Sequence, residues 1–92
     1  MSEPFGILII EDDADTLANL CDILTLDGYK VVGVNSIAEA RRVAEQQSFG
    51  IAITDRKLPD GMIENLLPEL KATLDRAEII VVTGFADMES TI

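Results

Sequence analysis

Four short aliphatic runs, separated by segments with helical periodicity, constrain the fold of this chain more than any other feature. The runs lie at residues 7–10, 29–34, 49–54 and 79–82. The first and last are unbroken, which is typical of strands covered on both faces. Because the intervening segments are long enough to cross a sheet as helices, the order β-α-β-α-β-α-β predicts a parallel sheet with helices on both faces.

Each intervening segment carries signals for a helix. Helices are expected at residues 14–27, 36–47, 65–74 and, at the end of the chain, from residue 87. Gly28 is a natural stop for the first. Ser36 and Glu39 form a capping box that begins the second, and Pro68 suits the first turns of the third. The first helix repeats apolar residues at helical spacing, so its cysteine is expected in the core: Leu17, Leu20, Cys21, Ile23, Leu24 and Leu26.

Composition excludes several classes of function. The chain of 92 residues has room for one domain, and 17 acids against seven bases give a net charge of −10, which disfavours nucleic acid or an anionic membrane as a direct partner. Histidine is absent and Cys21 is the single cysteine, which rules out zinc fingers, Ser-His-Asp chemistry and internal disulfides. No apolar run is long enough for a signal peptide or a membrane span, so a cytoplasmic domain is expected.

Oxygen-bearing side chains follow three of the four predicted strands. Glu11 and Asp12 come after the first strand, Asp55 ends the third and Thr83 follows the fourth. Because the carboxyl ends of parallel strands meet at one edge of a sheet, these groups are expected to converge there. Oxygen ligands without histidine or cysteine favour a hard cation, and Mg²⁺ is the expected ion. Glu11 and Asp12 suit the metal, and Asp55 is the best candidate nucleophile for phosphoryl transfer.

Simpler interpretations exist for the same residues. Asp12 and Asp13 could only stabilise the start of the first helix through its dipole, and Asp13 fits that role better than a metal ligand. The Leu-Pro-Asp-Gly sequence at 58–61 predicts a turn, and Asp55 could be an ordinary acid ahead of it. Thr83 could be no more than the last β-branched residue of a strand. The presence of all four oxygen-bearing residues at strand ends nevertheless favours a common metal and phosphoryl-transfer site: Glu11, Asp12, Asp55 and Thr83.

Three motifs together resemble the receiver domain of bacterial two-component response regulators. They are Ile-Leu-Ile-Ile-Glu-Asp-Asp at 7–13, Thr-Asp-Arg-Lys-Leu-Pro at 54–59 and Val-Val-Thr-Gly at 81–84. Their spacing is also similar, since Asp55 follows Asp12 by 43 residues and precedes Thr83 by 28. The resemblance covers essentially the whole chain. It implies a three-layer, flavodoxin-like α/β fold with strand order 2-1-3-4, in which the family's fifth strand and last helices are missing from residues 1–92.

The resemblance also implies a role for each motif residue. Asp55 is the phosphoacceptor that takes a phosphoryl group from a histidine kinase or phosphotransfer protein. Glu11 and Asp12 are the acidic pair that binds Mg²⁺, and Asp55 is also a ligand of the ion. The remaining implied roles are the Lys57 backbone carbonyl as a metal ligand, Thr83 as the switch hydroxyl and Gly84 as space for the phosphoryl group. Such a domain assists its own phosphorylation and dephosphorylation, and it regulates an output domain or partner outside these residues.

The sequence also departs from the family. It ends before the family's fifth-strand lysine, and Ile63 stands where the family usually has glycine, so the loop after Gly61 is expected to be altered. Without a fifth strand, the fourth would be an exposed aliphatic edge, which invites pairing with another chain. Either a longer protein or a homodimer across that edge is expected.

Two other functions remain open at this point. A receiver-like module could bind partners without being phosphorylated, because the family's lysine is missing. A Mg²⁺-dependent phosphohydrolase could use Asp55 as its nucleophile. That class needs a second acid two residues after the nucleophile, where this sequence has Lys57.

Overall fold

A computed structural model describes residues 6–82 of the chain. The long elements are β1 (Gly6–Ile10), α1 (Ala14–Leu26), β2 (Lys30–Val34), α2 (Ile37–Gln46), β3 (Ile51–Asp55), α3 (Leu67–Thr73) and β6 (Glu78–Val82). Between β3 and α3 lie two short strands and a 3₁₀ turn: β4 (Lys57–Leu58), β5 (Gly61–Met62) and Ile63–Asn65. The expected helix from residue 87 lies outside the described residues.

The main sheet has four parallel strands in the order β2-β1-β3-β6. Because β6 is the fourth long strand along the chain, this is the predicted order 2-1-3-4. The α/β, flavodoxin-like fold class is therefore confirmed. The antiparallel β4-β5 pair was expected only as a turn. All four long strands end at the same edge of the sheet, and that edge carries the candidate site.

Local sequence explains where the helices begin and end. The Asp13 carboxylate accepts the Thr16 amide hydrogen at the start of α1, and the Ser36 hydroxyl accepts that of Glu39 at 3.2 Å at the start of α2, as the capping box predicts. Gly28, with φ +94°, follows the end of α1 in the left-handed region that glycine tolerates.

The third helix begins two residues later than predicted. A 3₁₀ turn occupies Ile63–Asn65, and α3 starts at Leu67 with Pro68 in its first turn. Proline is compatible with that position because its missing amide hydrogen has no helical partner there.

The core lies mainly on the sheet face covered by α2 and α3. Its members from the sheet and these helices include Leu8, Ile10, Ala52, Ala40, Val43 and Leu70. The opposite face, against α1, is less covered. No α1 residue is buried, Ile23 and Leu26 are 57% and 86% exposed, and Cys21 is half-buried. The apolar pattern of α1 therefore contributes less to the core than its sequence suggests.

In the described part of the chain, β6 is an edge strand. It pairs with β3 on one side, and Ile80 and Val82 are about half exposed. The dimer across this edge remains a prediction. None of the helices within residues 6–82 has the length and apolar character needed to cross a membrane.

Candidate functional site

Three carboxylates meet at the carboxyl edge of the sheet. Glu11 and Asp12 follow β1, and Asp55 is the last residue of the neighbouring strand β3. Each offers one carboxylate oxygen, and these oxygens all lie within 4.8 Å of one another. Glu11 and Asp55 are half-buried, and Asp12 is exposed. We call these three residues the acidic cluster. The expected convergence of these three carboxylates is confirmed, and Thr83, expected at the same edge, lies outside the described residues.

Backbone pairing holds the acidic cluster in place. The Glu11 amide donates to the carbonyl of Val34 at 3.0 Å, which extends the β1-β2 ladder beyond the end of β1. Asp55 pairs with Val82 on β6, and its Oδ1 accepts the amide hydrogen of Arg56 at 2.8 Å. The fully buried Thr54 donates its hydroxyl to the Asp55 carbonyl at 2.9 Å. The sheet therefore fixes where both strand ends meet.

The acidic cluster penalises negative charge on Glu11. Burial raises the pKa of Glu11, and the carboxylates of Asp55 and Asp12 raise it further, against the lowering effect of the Asp13 amide. That amide donates to Glu11 Oε2 at 3.0 Å. A divalent cation among these oxygens would replace the repulsion with attraction. Because the ligands are all oxygens, the cluster fits a hard cation such as Mg²⁺ or Ca²⁺.

Asp13 has a different role from its neighbours. Its Oδ2 accepts the Thr16 amide hydrogen at 2.9 Å and the Thr16 hydroxyl hydrogen at 2.6 Å. These two bonds lower the pKa of Asp13. The carboxylate is thus engaged at the start of α1, in agreement with the expectation that Asp13 serves the helix.

Of the other expected site residues, the structure describes Lys57 but not Thr83 or Gly84. Lys57 lies on β4, two residues after Asp55, and pairs with Met62. Thr83 and Gly84 lie outside the described residues, so their expected roles remain predictions. Ile63, where the family usually has glycine, is fully buried and donates its amide hydrogen to the Arg56 carbonyl at 2.9 Å.

Sequence reasoning missed one residue beside the site, Asp60. It was expected only as part of a turn. Its Oδ1 accepts the amide hydrogen of Ile37 at 2.9 Å and its Oδ2 accepts that of Ala38 at 3.0 Å. These bonds are the main cause of the lowered pKa of Asp60, and the charge of Arg41 adds to it. The partners lie more than 20 residues away in sequence, so no local pattern could reveal the contact.

Comparison with known proteins identifies the family. The sequence model of the response regulator receiver domain matches residues 7–92. The chain therefore belongs to the response regulator receiver domain family. The resemblance drawn from the three motifs is confirmed, and so is the general function, a receiver domain of two-component signalling.

Individual relatives agree with this. The TorCAD operon transcriptional regulatory protein TorR of Escherichia coli K12 is 37% identical over 86 residues, which is 91% of this chain and 36% of TorR. The structure of a CheY-like receiver domain protein from Methanospirillum hungatei JF-1 is 31% identical, with a TM-score of 0.86 over 97% of this chain and 71% of that one. The chain thus spans about a third of TorR.

A second solved structure shows the chemistry of a related protein. A response regulator from Burkholderia pseudomallei is 26% identical, with a TM-score of 0.84 over 88% of this chain and 48% of that one. It was determined with a phosphorylated aspartic acid, a calcium ion and citrate. Phosphorylated aspartate and a divalent cation therefore occur together in a protein with this fold.

Proposed function

We propose that this domain is a phosphorylation switch in which Asp55 accepts a phosphoryl group in a Mg²⁺-dependent step. The donor is a histidine kinase or a phosphotransfer protein. Phosphorylation of Asp55 changes how the domain contacts an output domain or partner. The observation that carries the proposal is the acidic cluster, whose carboxylate oxygens lie within 4.8 Å of one another. Aspartate phosphorylation in the Burkholderia pseudomallei protein supports it.

Asp55 is the nucleophile in this proposal because of its place in the sheet. It ends β3, which lies between β1 and β6, whereas Glu11 and Asp12 are adjacent residues on one strand end. One Asp55 oxygen accepts the Arg56 amide hydrogen, and we assign the attack to the other. That oxygen forms a bond to phosphorus while the bond from phosphorus to the donor histidine nitrogen breaks, and the bonding electron pair returns to that nitrogen.

Glu11, Asp12, Asp55 and the Lys57 carbonyl are the proposed metal ligands. When bound, Mg²⁺ neutralises charge on the carboxylates and on the phosphoryl oxygens, which lowers the barrier to attack by an anion. Burial, and after it the charges of Asp55 and Asp12, raise the pKa of Glu11, and this supports the assignment because a bound cation would offset the cost of ionising Glu11.

Thr83 and Gly84 complete the proposal on sequence grounds. Thr83 follows Val82, which pairs with Asp55, and it is the proposed switch hydroxyl that bonds to the phosphoryl group. Gly84 leaves space for that group. Output through β6 and the residues after it, and a cytoplasmic location, belong to the same proposal.

The test is phosphorylation by a small donor. Incubation with acetyl phosphate and Mg²⁺ is expected to add about 80 Da, the mass of one phosphoryl group, detected by mass spectrometry of the intact protein. Asp55→Ala is expected to abolish the adduct, and so is chelation of Mg²⁺. Asp75→Ala is the matched control and should keep the adduct, because Asp75 precedes β6 at the opposite edge of the sheet.

Other results would favour the alternatives. An adduct that persists in Asp55→Ala would contradict the assignment of the phosphoacceptor. Complete absence of an adduct, with partner binding intact, would favour a module that works without phosphorylation. Rapid turnover of an external phosphomonoester without a stable adduct would favour the phosphohydrolase.

A further inference from the structure

Asp60 connects two parts of the molecule that are distant in sequence. Its two carboxylate oxygens accept the amide hydrogens of Ile37 and Ala38, at 2.9 and 3.0 Å. These are the first two residues of α2, whose amides have no partner within the helix. Ser36 satisfies the amide of Glu39. The start of α2 is thus capped partly from its own sequence and partly from the loop after β3.

Asp60 sits at the tip of a small hairpin. The strands β4 and β5 pair Lys57 with Met62 and Leu58 with Gly61, which leaves Pro59 and Asp60 as the turn. A hairpin of two-residue strands has little stability of its own. It is held at its base by the bond from Ile63 to Arg56, by the buried side chain of Leu58, and at its tip by Asp60.

Gly61 fits the hairpin tip closely against α2. Its φ of +145° is a conformation that L-residues rarely adopt, and a Cβ there would lie 3.3 Å from Cδ1 of Ile37. Backbone conformation and the Asp60 carboxylate therefore direct the hairpin tip onto the same residue of α2. The orientation of the hairpin is set by this contact as well as by its connection to β3.

The hairpin in turn determines where the Lys57 carbonyl is available. Hydrogen-bonded and non-hydrogen-bonded pairs alternate along an antiparallel ladder. Because Ile63 donates to the Arg56 carbonyl, the next pair, Lys57 with Met62, is of the non-hydrogen-bonded type. The Lys57 carbonyl is therefore not used by the ladder and is directed away from Met62. It remains available on the segment that leaves Asp55.

We propose that Asp60 is a positioning residue for the metal site. By holding the hairpin tip on the start of α2, it holds the Lys57 carbonyl in the orientation that a bound Mg²⁺ requires. The Asp60 carboxylate is not part of the acidic cluster, and its oxygens accept amide hydrogens of α2, so its proposed role is to position the hairpin and not to bind the ion. This inference rests on the proposed function, which makes the Lys57 carbonyl a metal ligand.

Two variants separate positioning from a purely structural role. Asp60→Ala and Ser36→Ala each remove side-chain caps from the same end of α2, but only Asp60→Ala releases the hairpin. Mg²⁺ affinity, measured by titration calorimetry or by amide shifts at a temperature where both variants are folded, is expected to fall about tenfold in Asp60→Ala, as when residues that orient metal ligands are lost. It should stay within about twofold of wild type in Ser36→Ala.

Rescue and the rate of phosphorylation provide further readouts. Asp60→Asn keeps one side-chain acceptor, so its Mg²⁺ affinity should lie between those of the wild type and Asp60→Ala. At limiting Mg²⁺ the initial rate of Asp55 labelling by acetyl phosphate should be highest in the wild type, lower in Asp60→Asn and lowest in Asp60→Ala. Saturating Mg²⁺ should restore most of the lost rate.

The outcomes distinguish this inference from the proposed function. If the wild type binds Mg²⁺ and is labelled on Asp55, but Asp60→Ala has the same Mg²⁺ affinity as Ser36→Ala, the positioning role is wrong and the proposed function stands. If the wild type shows no Mg²⁺ binding that depends on Asp12, both are overturned. If Asp60→Ala does not fold, the comparison of Asp60→Asn with Ser36→Ala decides in the same way.

Discussion

The same kind of side chain has opposite roles in two neighbouring regions of this molecule. In the acidic cluster, Glu11, Asp12 and Asp55 face one another within 4.8 Å, and burial together with the neighbouring charges raises the pKa of Glu11. Asp13 and Asp60, which we call the capping acids, accept amide hydrogens at the starts of α1 and α2, and these bonds lower the pKa of both. One arrangement opposes ionisation and the other favours it.

The difference shows how function and stability are divided along one edge of the sheet. Repulsion within the acidic cluster destabilises the metal-free fold, and that cost is relieved when a cation binds. The capping acids stabilise the helices whose starts they occupy. The acidic cluster therefore lowers the stability of the metal-free fold at the proposed cation site, and the capping acids contribute stability to the helices near it.

The largest expected effect is stabilisation by Mg²⁺. At a free concentration of 100 times its Kd, the ion should raise the free energy of unfolding by about 2.7 kcal/mol, since it binds the folded state alone. Asp12→Asn should lose most of this gain. Urea denaturation with and without Mg²⁺, at constant ionic strength, measures it. Asp22→Asn, an exposed acid on α1 outside the acidic cluster, is the control. Equal stabilisation of both variants would show that the ion acts elsewhere.

The next effect is loss of a capping acid. Asp60→Ala should lower the thermal midpoint by about 5 °C in the absence of Mg²⁺, because two amides of α2 lose their acceptors. Circular dichroism during heating measures this midpoint. Asp75→Ala, an exposed acid at the other edge of the sheet, should leave it unchanged. A midpoint for Asp60→Ala equal to wild type would remove the contrast between the two regions.

Removing a charge from the acidic cluster is expected to change the thermal midpoint by less, and in the opposite direction. Glu11→Gln should raise the thermal midpoint by about 2 °C without divalent ions, because it removes a half-buried charge that repels Asp12 and Asp55. With saturating Mg²⁺ the order should reverse, since the variant has lost a metal ligand. Glu45→Gln, exposed on α2, is the control. A lower midpoint for Glu11→Gln under both conditions would contradict the proposed repulsion.

The smallest effect is the pH dependence, which separates the two regions by sign. The penalty from Glu11 is absent below the ordinary carboxyl pKa and develops as the pH rises through its raised pKa in the folded protein. The stabilisation from Asp60 is present above the ordinary pKa and is lost as the pH falls through its lowered pKa. Metal-free denaturation from about pH 3 to pH 7 measures the free energy of unfolding of each variant relative to wild type. Near neutrality this difference should therefore have opposite signs for Glu11→Gln and Asp60→Asn, and for both variants it should shrink in acid.

Much of the fold was predictable because its signals are local. The unbroken run before Glu11 and the capping box at Ser36 gave a strand and a helix start within one or two residues of those observed. The convergence of Glu11, Asp12 and Asp55 followed from a general property of parallel sheets and did not require coordinates.

Other features depend on contacts that no local pattern encodes. The β4-β5 hairpin was expected only as a turn, because two-residue strands have no periodicity to detect. The exposure of Ile23 and Leu26 depends on which elements cover that face of the sheet. The role of Asp60 depends on Ile37 and Ala38, more than 20 residues earlier.

The sequence by itself determined the alternation of strands and helices, and with it the edge of the sheet at which acidic side chains would gather. Only the tertiary structure decided which of those carboxylates lie near other carboxylates and which accept amide hydrogens. The physical reason is that a strand or a helix is specified by its own residues, whereas the ionisation of a carboxyl group responds to every charge and donor within a few ångströms, including those brought there by distant parts of the chain.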